Sequence, residues 1–301
     1  ANQGWKDSHD AIQWADGRFA DGPIALVEVQ GYAYRARREL GAILEWCGEP
    51  GAAGVLHEEA DRLRDAIRER FWIPGADGGD GWFALALDGA KRPVDAVASN
   101  MGHLLWCGVP SNAEAEQVAR RLAAPDMASG WGLRTLSTAM RGFNPLSYHL
   151  GSVWPHDSVI AIEGLRQYGH DAEAMALAGG LLDALAVFDE RLPELYGGHG
   201  REDPGGFPVP YPTACRPQAW AAGVPLALVP LLLGLEPSVP DGLVALSPAL
   251  PPGMRSLEVQ GIPLDGGALS VRVADGGVAI LEAPPRVTVT LRRGAALTAG
   301  G

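Results

Sequence analysis

The sequence predicts a mostly helical chain, built of paired helices and ending in a small antiparallel β unit. Three observations predict it. Apolar residues recur at three- and four-residue steps over 52–71 with charges opposite, and further helical stretches run on to about residue 234. The helical stretches come in pairs, and long polar loops fall after every second helix or so. Near Pro240 the period changes to two, in "LSVRV", "VAILE" and "VTVTL". A plain bundle prefers short connections throughout, so this arrangement fits a barrel of helical hairpins with its site at one end.

Each element has its own justification. Residues 24–47, "IALVEVQGYAYRARRELGAILEWC", read as a helix capped by Asp21 with Pro23 in its first turn. Residues 52–71 are amphipathic, with Leu56, Ala60, Leu63, Ile67 and Phe71 on one face. Gly and Pro in "IPGADGGDG" break the chain, and "WFALAL" (82–87) reads as a short strand or turn insert. Residues 95–107 and 111–123 form a second pair, with Ser111 or Asn112 as the cap. A loop over 125–156 gathers Trp, Arg, Tyr and His. Helices resume at 157–168 and 171–188, and a second polar loop, 191–214, leads into an apolar helix at about 216–234. Asp275-Gly276-Gly277 supplies a hairpin turn in the β unit. The expected domains are 1–238 and 239–301.

Composition limits the partners. The net charge is −12, which argues against nucleic acid, since that partner requires a basic face. The longest apolar stretch, "VPLALVPLLLGL", is short and carries two prolines, so no membrane span is expected. Cys47, Cys107 and Cys215 are widely spaced and odd in number. They read as buried thiols in a reducing, cytoplasmic compartment. The seven histidines have no close metal-ligand spacing, and no metal or organic cofactor is expected.

Three loops concentrate unusual residues: "NQGWKDS", "RGFNPLSYHLGSVWPHDS" (141–158) and "LPELYGGHGREDPGGFPVPYPTACRPQAW" (192–220). Together they hold carboxylates, aromatics and amide or guanidinium donors. Sugars are bound in this way, with aromatic faces on C–H surfaces and charged groups on hydroxyls. Hydrolysis of a glycosidic bond also needs two carboxyl groups, one protonated for the leaving oxygen and one to activate water or attack the sugar. The bland readings are common ones: an Asp before Ser is most often a helix cap, and an acid after Pro is most often solvated. Gly197-Gly198 lies outside any strand–loop–helix setting that would hold phosphate. Residue types and spacing alone therefore lead to a helical enzyme with a carboxylate-lined cleft.

The order of motifs resembles the glucosidase domain of amylo-α-1,6-glucosidase and glycogen-debranching-like proteins. "QGWKDS" followed by "DGPIALVEVQGYAYRA" is similar to the family's G-x-x-W-M-D-A and the helix after it. "YHLGSVWP" (148–155), "PELYGG" (193–198) and "CRPQAW" (215–220) resemble its later motifs, and the match spans about residues 2–235. The resemblance implies an (α/α)6 six-hairpin toroid and an inverting hydrolysis of terminal α-glucosidic bonds in an oligosaccharide or glucoside. It implies Asp7 as general acid, partly buried against Trp5, and Glu194 as general base. It also implies Trp5, Glu28, Gln30, His149, Trp154, Gln218 and Trp220 as sugar-lining residues, with Asn100 and His103 as weaker candidates.

Lys6 and Ser8 depart from the family pattern, and the segment from His199 to Thr213 is longer than usual. Trehalase-, rhamnosidase- and mannosylglycerate-hydrolase-like activities on the same fold are alternatives, as is an inactive carbohydrate-binding fragment. About seven helices are visible where such a barrel has twelve. The chain is therefore expected to be the C-terminal part of a longer enzyme, nearly inactive and aggregation-prone alone. Its exposed edge is expected on the helix at 24–47, through Ile24, Leu26, Val27, Val29, Tyr32 and Tyr34.

Overall fold

The structure, a computed structural model, describes residues 4–292 and 296–297. It divides into two compact units, Ala1–Ala222 and Gly223–Gly301. The division falls inside the stretch expected as one helix over 216–234. That stretch is two helices, α7 (Ala219–Ala222) and α8 (Val224–Leu233), one in each unit. Pro225 in the first turn of α8 has no N–H to continue the preceding turn, so the helix restarts there.

The first unit holds three helical hairpins. Helix α1 (Val27–Trp46) pairs with α2 (Pro50–Phe71), α3 (Asn100–Cys107) with α4 (Asn112–Ala123), and α5 (Pro155–Gln167) with α6 (Asp171–Val187). Helix α3 packs between α1 and α5, so these three form one layer, and α4 and α6 meet in the other. Glycines allow the close approach within the first layer. A Cβ on Gly164 would lie 2.5 Å from the Trp106 backbone nitrogen, and one on Gly102 would lie 2.7 Å from Ala161 Cβ. Ser111 completes a capping box with Glu114 at the start of α4. Among the described residues, no helix is long and apolar enough to cross a membrane.

Three helix starts differ from expectation. Neither Asp21 nor Pro23 begins α1. Residues Ala25–Leu26 form strand β1, which pairs with Ala86–Leu87, so the chain stays extended until Val27. Residues 95–99 are not helical. Ala98 bridges to Leu136, and the Ser99 N–H donates to the Thr135 carbonyl at 3.2 Å. Helix α5 begins two residues early because Pro155 fits its first turn, which brings His156 and Asp157 into that turn. "WFALAL" is divided between two two-residue strands, Trp82–Phe83 and Ala86–Leu87.

The apolar residues expected at an exposed edge of α1 are covered. Leu26, Val27 and Tyr34 are buried, and Ile24, Val29 and Tyr32 are half-buried. The exposed apolar groups lie at the far end of the hairpin: Leu40 at 48%, Ile43 at 55%, Trp46 at 78% and Val55 at 57% exposure. Helix α1 has 20 residues and its neighbour α3 has 8, so the end of α1 extends past the helix that would cover it. The cysteines are free, but only Cys107 is buried; Cys47 and Cys215 are exposed.

Short extended segments align the site loops. Ala98 bridges Leu136, Arg134 bridges Val153, Val153 bridges Tyr196, and Tyr196 bridges Pro210. This ladder lays the 141–158 and 192–214 loops side by side. Gly198 sits at their crossing, where a Cβ would meet the Gly151 carbonyl oxygen at 1.7 Å, so no larger residue fits there.

In the second unit, strands Ser256–Leu264, Gly267–Ala274 and Gly277–Glu282 form an antiparallel meander. Asp265-Gly266 and Asp275-Gly276 turn it, all four with positive φ, as two-residue hairpins of this hand require. The unit is mixed rather than purely antiparallel. Strand Thr288–Leu291 runs parallel to strand Leu243–Leu246, and the long connection between them permits that direction. Leu233, Val244, Leu246, Leu269, Val271, Val273 and Val278 form its core.

Candidate active site

Trp5 is the hub of an aromatic cluster in the first unit. Its ring stacks on His103 at 5.9 Å with the planes 2° apart. It also meets His149, Trp154 and His156 edge-on, at 5.5, 5.6 and 4.9 Å. His156 stacks face to face on Trp220, 4.0 Å away. Trp154 is buried, and its Nε1 donates to the Tyr148 carbonyl at 2.8 Å and to Ser152 Oγ at 3.1 Å, fixing its plane.

A buried polar layer lies against this cluster. The Lys6 ammonium is 5.1 Å from the centre of the Trp5 ring and donates to the Thr135 carbonyl at 2.7 Å. Burial lowers its pKa to about 8, against the opposing pull of the Asp157 and Glu28 charges. Burial also pushes Asp157 up, but the His103 hydrogen bond and the nearby positive charge outweigh it and hold this carboxyl below its usual range. Glu28 moves the other way: burial raises it, and the Asn100 amide, its own backbone, His103 and Lys6 offset only part of the rise. With Asp157 ionised, His103 Nε2 donates to it at 2.7 Å, and Nδ1 pairs with the Tyr32 hydroxyl at 2.6 Å. The Glu28 oxygens, the Asn100 amide atoms, Trp5 Nε1 and both His156 nitrogens are buried without a partner in hydrogen-bonding geometry.

His149 is held by Ser8. The Ser8 backbone N–H points at Nδ1 from 3.4 Å, and Ser8 Oγ lies 2.8 Å from the same nitrogen. An amide N–H can only donate, so Nδ1 carries the lone pair and Nε2 the proton. Burial lowers the pKa of His149 to about 4, with the Lys6 charge acting in the same direction. The two departures from the debranching pattern are thus both built into the structure, Lys6 under Trp5 and Ser8 on His149.

Glu194 is 6% exposed and accepts three donors. Tyr148 Oη donates to Oε1 at 2.7 Å, the Cys215 N–H to Oε2 at 3.1 Å, and Gln218 Nε2 to Oε1 at 3.5 Å. Burial pushes its carboxyl up, but these donors outweigh it and hold Glu194 below its usual value. Burial, the hydrogen bond to Glu194, and the charges of Glu194 and then Asp7 all push the Tyr148 hydroxyl upward.

The structure gathers most of the residues expected from the sequence. Trp5, His149, Trp154 and Trp220 form the aromatic wall; Glu28, Asn100 and His103 lie in the polar layer; Gln218 binds Glu194. Gln30 does not join them. Two positions after Glu28 on a helix is about 200° around it, and Gln30 lines a cavity against Leu63 and Ile67 of α2 instead. Asp7 is exposed and not partly buried against Trp5, because Lys6 occupies that place.

Lys6, Ser8, Tyr32, Tyr148, His156 and Asp157 were not expected at the site. Tyr32 follows Glu28 by one helical turn, and Pro155 at a helix start places His156 and Asp157 in the first turn. Those two signals were readable. A lysine 2% exposed carries no sequence signal, since lysine is almost always solvated.

Helical hairpins carrying an aromatic wall beside buried carboxylates define the class of protein: a helical domain whose loops gather aromatic and acidic side chains at one site. A family model described as the mannosylglycerate hydrolase MGH1-like glycoside hydrolase domain matches residues 3–197, and the chain belongs to that family. A mannosylglycerate hydrolase from Rubrobacter radiotolerans is 29% identical over 147 residues, covering 46% of this chain and 31% of that protein. The structure of a GH63 mannosylglycerate hydrolase from Thermus thermophilus, in complex with glucose, is similar over 68% of this chain and 48% of its own, with 21% identity and a TM-score of 0.51. A solved sialidase is similar over 90% of this chain and 25% of its own, at 13% identity and a TM-score of 0.71. At these identities the structural likeness is one of fold. The chain spans less than half the length of each of these three relatives. None of them is described as a debranching glucosidase.

Proposed function

We propose that this chain carries the catalytic residues of an inverting glycoside hydrolase, and that its three hairpins are an arc of an (α/α)6 toroid. Asp7 gives a proton to the leaving oxygen, and Glu194 takes one from the attacking water. Tyr148 is the observation that carries the reading: it donates to Glu194 at 2.7 Å, and its ring lies 4.7 Å from His149, the residue held by Ser8, which directly follows Asp7. The donors around Glu194 favour its ionised form, the form a general base needs. Trp5, Trp154 and Trp220 offer the aromatic surface on which a sugar ring packs.

The substrate proposed is a short α-glycoside, with mannosylglycerate, named by two relatives, as the first candidate. Debranching of glycogen rests on motif order alone. The test is sugar release from mannosylglycerate, trehalose, maltose and isomaltose by the chain and by Glu194→Gln. Cleavage of mannosylglycerate by the parent and not by the variant supports the reading. Preference for isomaltose returns it to the debranching branch. Absence of any cleavage that depends on Glu194 refutes it.

A further inference from the structure

Tyr148 was not among the expected site residues, yet it makes the shortest contact to Glu194, at 2.7 Å. The two oxygens of that carboxylate are not equivalent. Oε1 takes both side-chain donors, Tyr148 at 2.7 Å and Gln218 at 3.5 Å. Oε2 takes the Cys215 backbone N–H at 3.1 Å. Oε1 therefore faces the side-chain hydroxyl and amide, and Oε2 faces the Cys215 side of the carboxylate. The donors themselves are fixed. Gln218 Oε1 accepts the Ala219 N–H at 2.7 Å, which turns its NH₂ toward Glu194. The Tyr148 ring sits between His149 at 4.7 Å, Trp154 at 4.8 Å and Tyr211 at 5.8 Å, so its hydroxyl cannot swing away.

We propose that Tyr148 is a positioning residue for Glu194, pinning Oε1 so that Oε2 receives the proton of the nucleophilic water. This rests on the role proposed for Glu194. In the step, one water O–H bond breaks and its proton passes to Oε2, while the water oxygen bonds the anomeric carbon. The bond from that carbon to the leaving oxygen breaks, and the leaving oxygen takes the proton of Asp7. Solvent then carries the proton from Glu194 back to Asp7, so atoms and charge balance. Tyr148 keeps its own proton throughout, because burial and both carboxylate charges oppose its ionisation.

The test is Tyr148→Phe, which keeps the ring and removes only the hydroxyl. Carbon-13 NMR of labelled glutamate carboxyls, with Glu194 assigned through Glu194→Gln, reads the titration of Glu194 directly. Loss of the hydroxyl donor should raise that titration by about one pH unit, a roughly tenfold loss of acidity. With a glycoside that the parent cleaves, the acid limb of kcat/KM should move up by the same amount while KM changes less than about twofold. An unmoved Glu194 titration in Tyr148→Phe overturns the proposal. So does a raised KM with the acid limb fixed, which would make Tyr148 a substrate ligand. If the parent cleaves no glycoside, the proposed function fails, and the carboxyl titration still decides whether Tyr148 governs Glu194.

Discussion

Replacing Lys6 by Met tests the buried polar layer through its pH dependence. The ammonium is 2% exposed, and its pKa falls from 10.5 to about 8 on folding, mainly through desolvation. Each pH unit corresponds to about 1.4 kcal/mol, so burying the charged form costs about 3 kcal/mol below pH 8. The sign follows from proton counting. Between pH 8 and 10.5 the unfolded chain holds this proton and the native chain does not, so stability rises with pH across that window. Methionine has nothing to titrate. At pH 7 the variant gains the desolvation cost but leaves the Thr135 carbonyl without its donor, a loss of about 1–3 kcal/mol. The two stabilities should therefore be similar at neutral pH. By about pH 9.5 the parent should have gained about 2 kcal/mol on the variant. Urea unfolding of both proteins at these two pH values, followed by tryptophan fluorescence, gives the difference directly, and titrating groups that do not feel the Lys6 charge cancel in it. A difference that stays constant between the two pH values refutes the reasoning and means that Lys6 is not buried as a cation.

Other perturbations have defined outcomes. Asp7→Asn and Glu194→Gln keep size and remove proton transfer, so each should lower kcat by roughly two to four orders of magnitude with KM little changed; near-normal turnover in either removes that residue from its role. Trp154→Ala empties a site 1% exposed and should cost about 3–5 kcal/mol in denaturant unfolding. Trp154→Phe should cost clearly less, because Ser152 Oγ still donates to the Tyr148 carbonyl at 2.7 Å. Ser111→Ala breaks the capping box of α4 and should cost about 1 kcal/mol by the same measurement.

Much of this architecture was legible in the sequence, and the misses have physical causes. The 3.6-residue period identified α2, which buries one face, and the cap at Ser111 identified α4. Asp275-Gly276 was readable because its turn needs two residues that tolerate positive φ. Helix starts were harder. Residues 25–26 and 98–99 carry helix-compatible side chains, but pairing with Ala86–Leu87 and with Leu136 and Thr135 holds them extended. Those partners are distant in sequence, and no local window contains them. At the site, motif order singled out Asp7, Glu194 and the tryptophans. It also included Gln30, which helical geometry alone turns away from Glu28. The Lys6–Asp157–His103–Tyr32 network was invisible because its members come from a loop and three helices.

The stereochemistry of the product tests the central claim most directly. Proton NMR during the first minutes of hydrolysis of an α-linked mannosylglycerate reports the anomer released before mutarotation. If Glu194 activates water and Asp7 protonates the leaving oxygen, water attacks from the face opposite the departing group, and β-mannose appears first. Glu194→Gln should abolish that signal. First release of α-mannose would require a covalent intermediate on one of the carboxylates and would contradict the account.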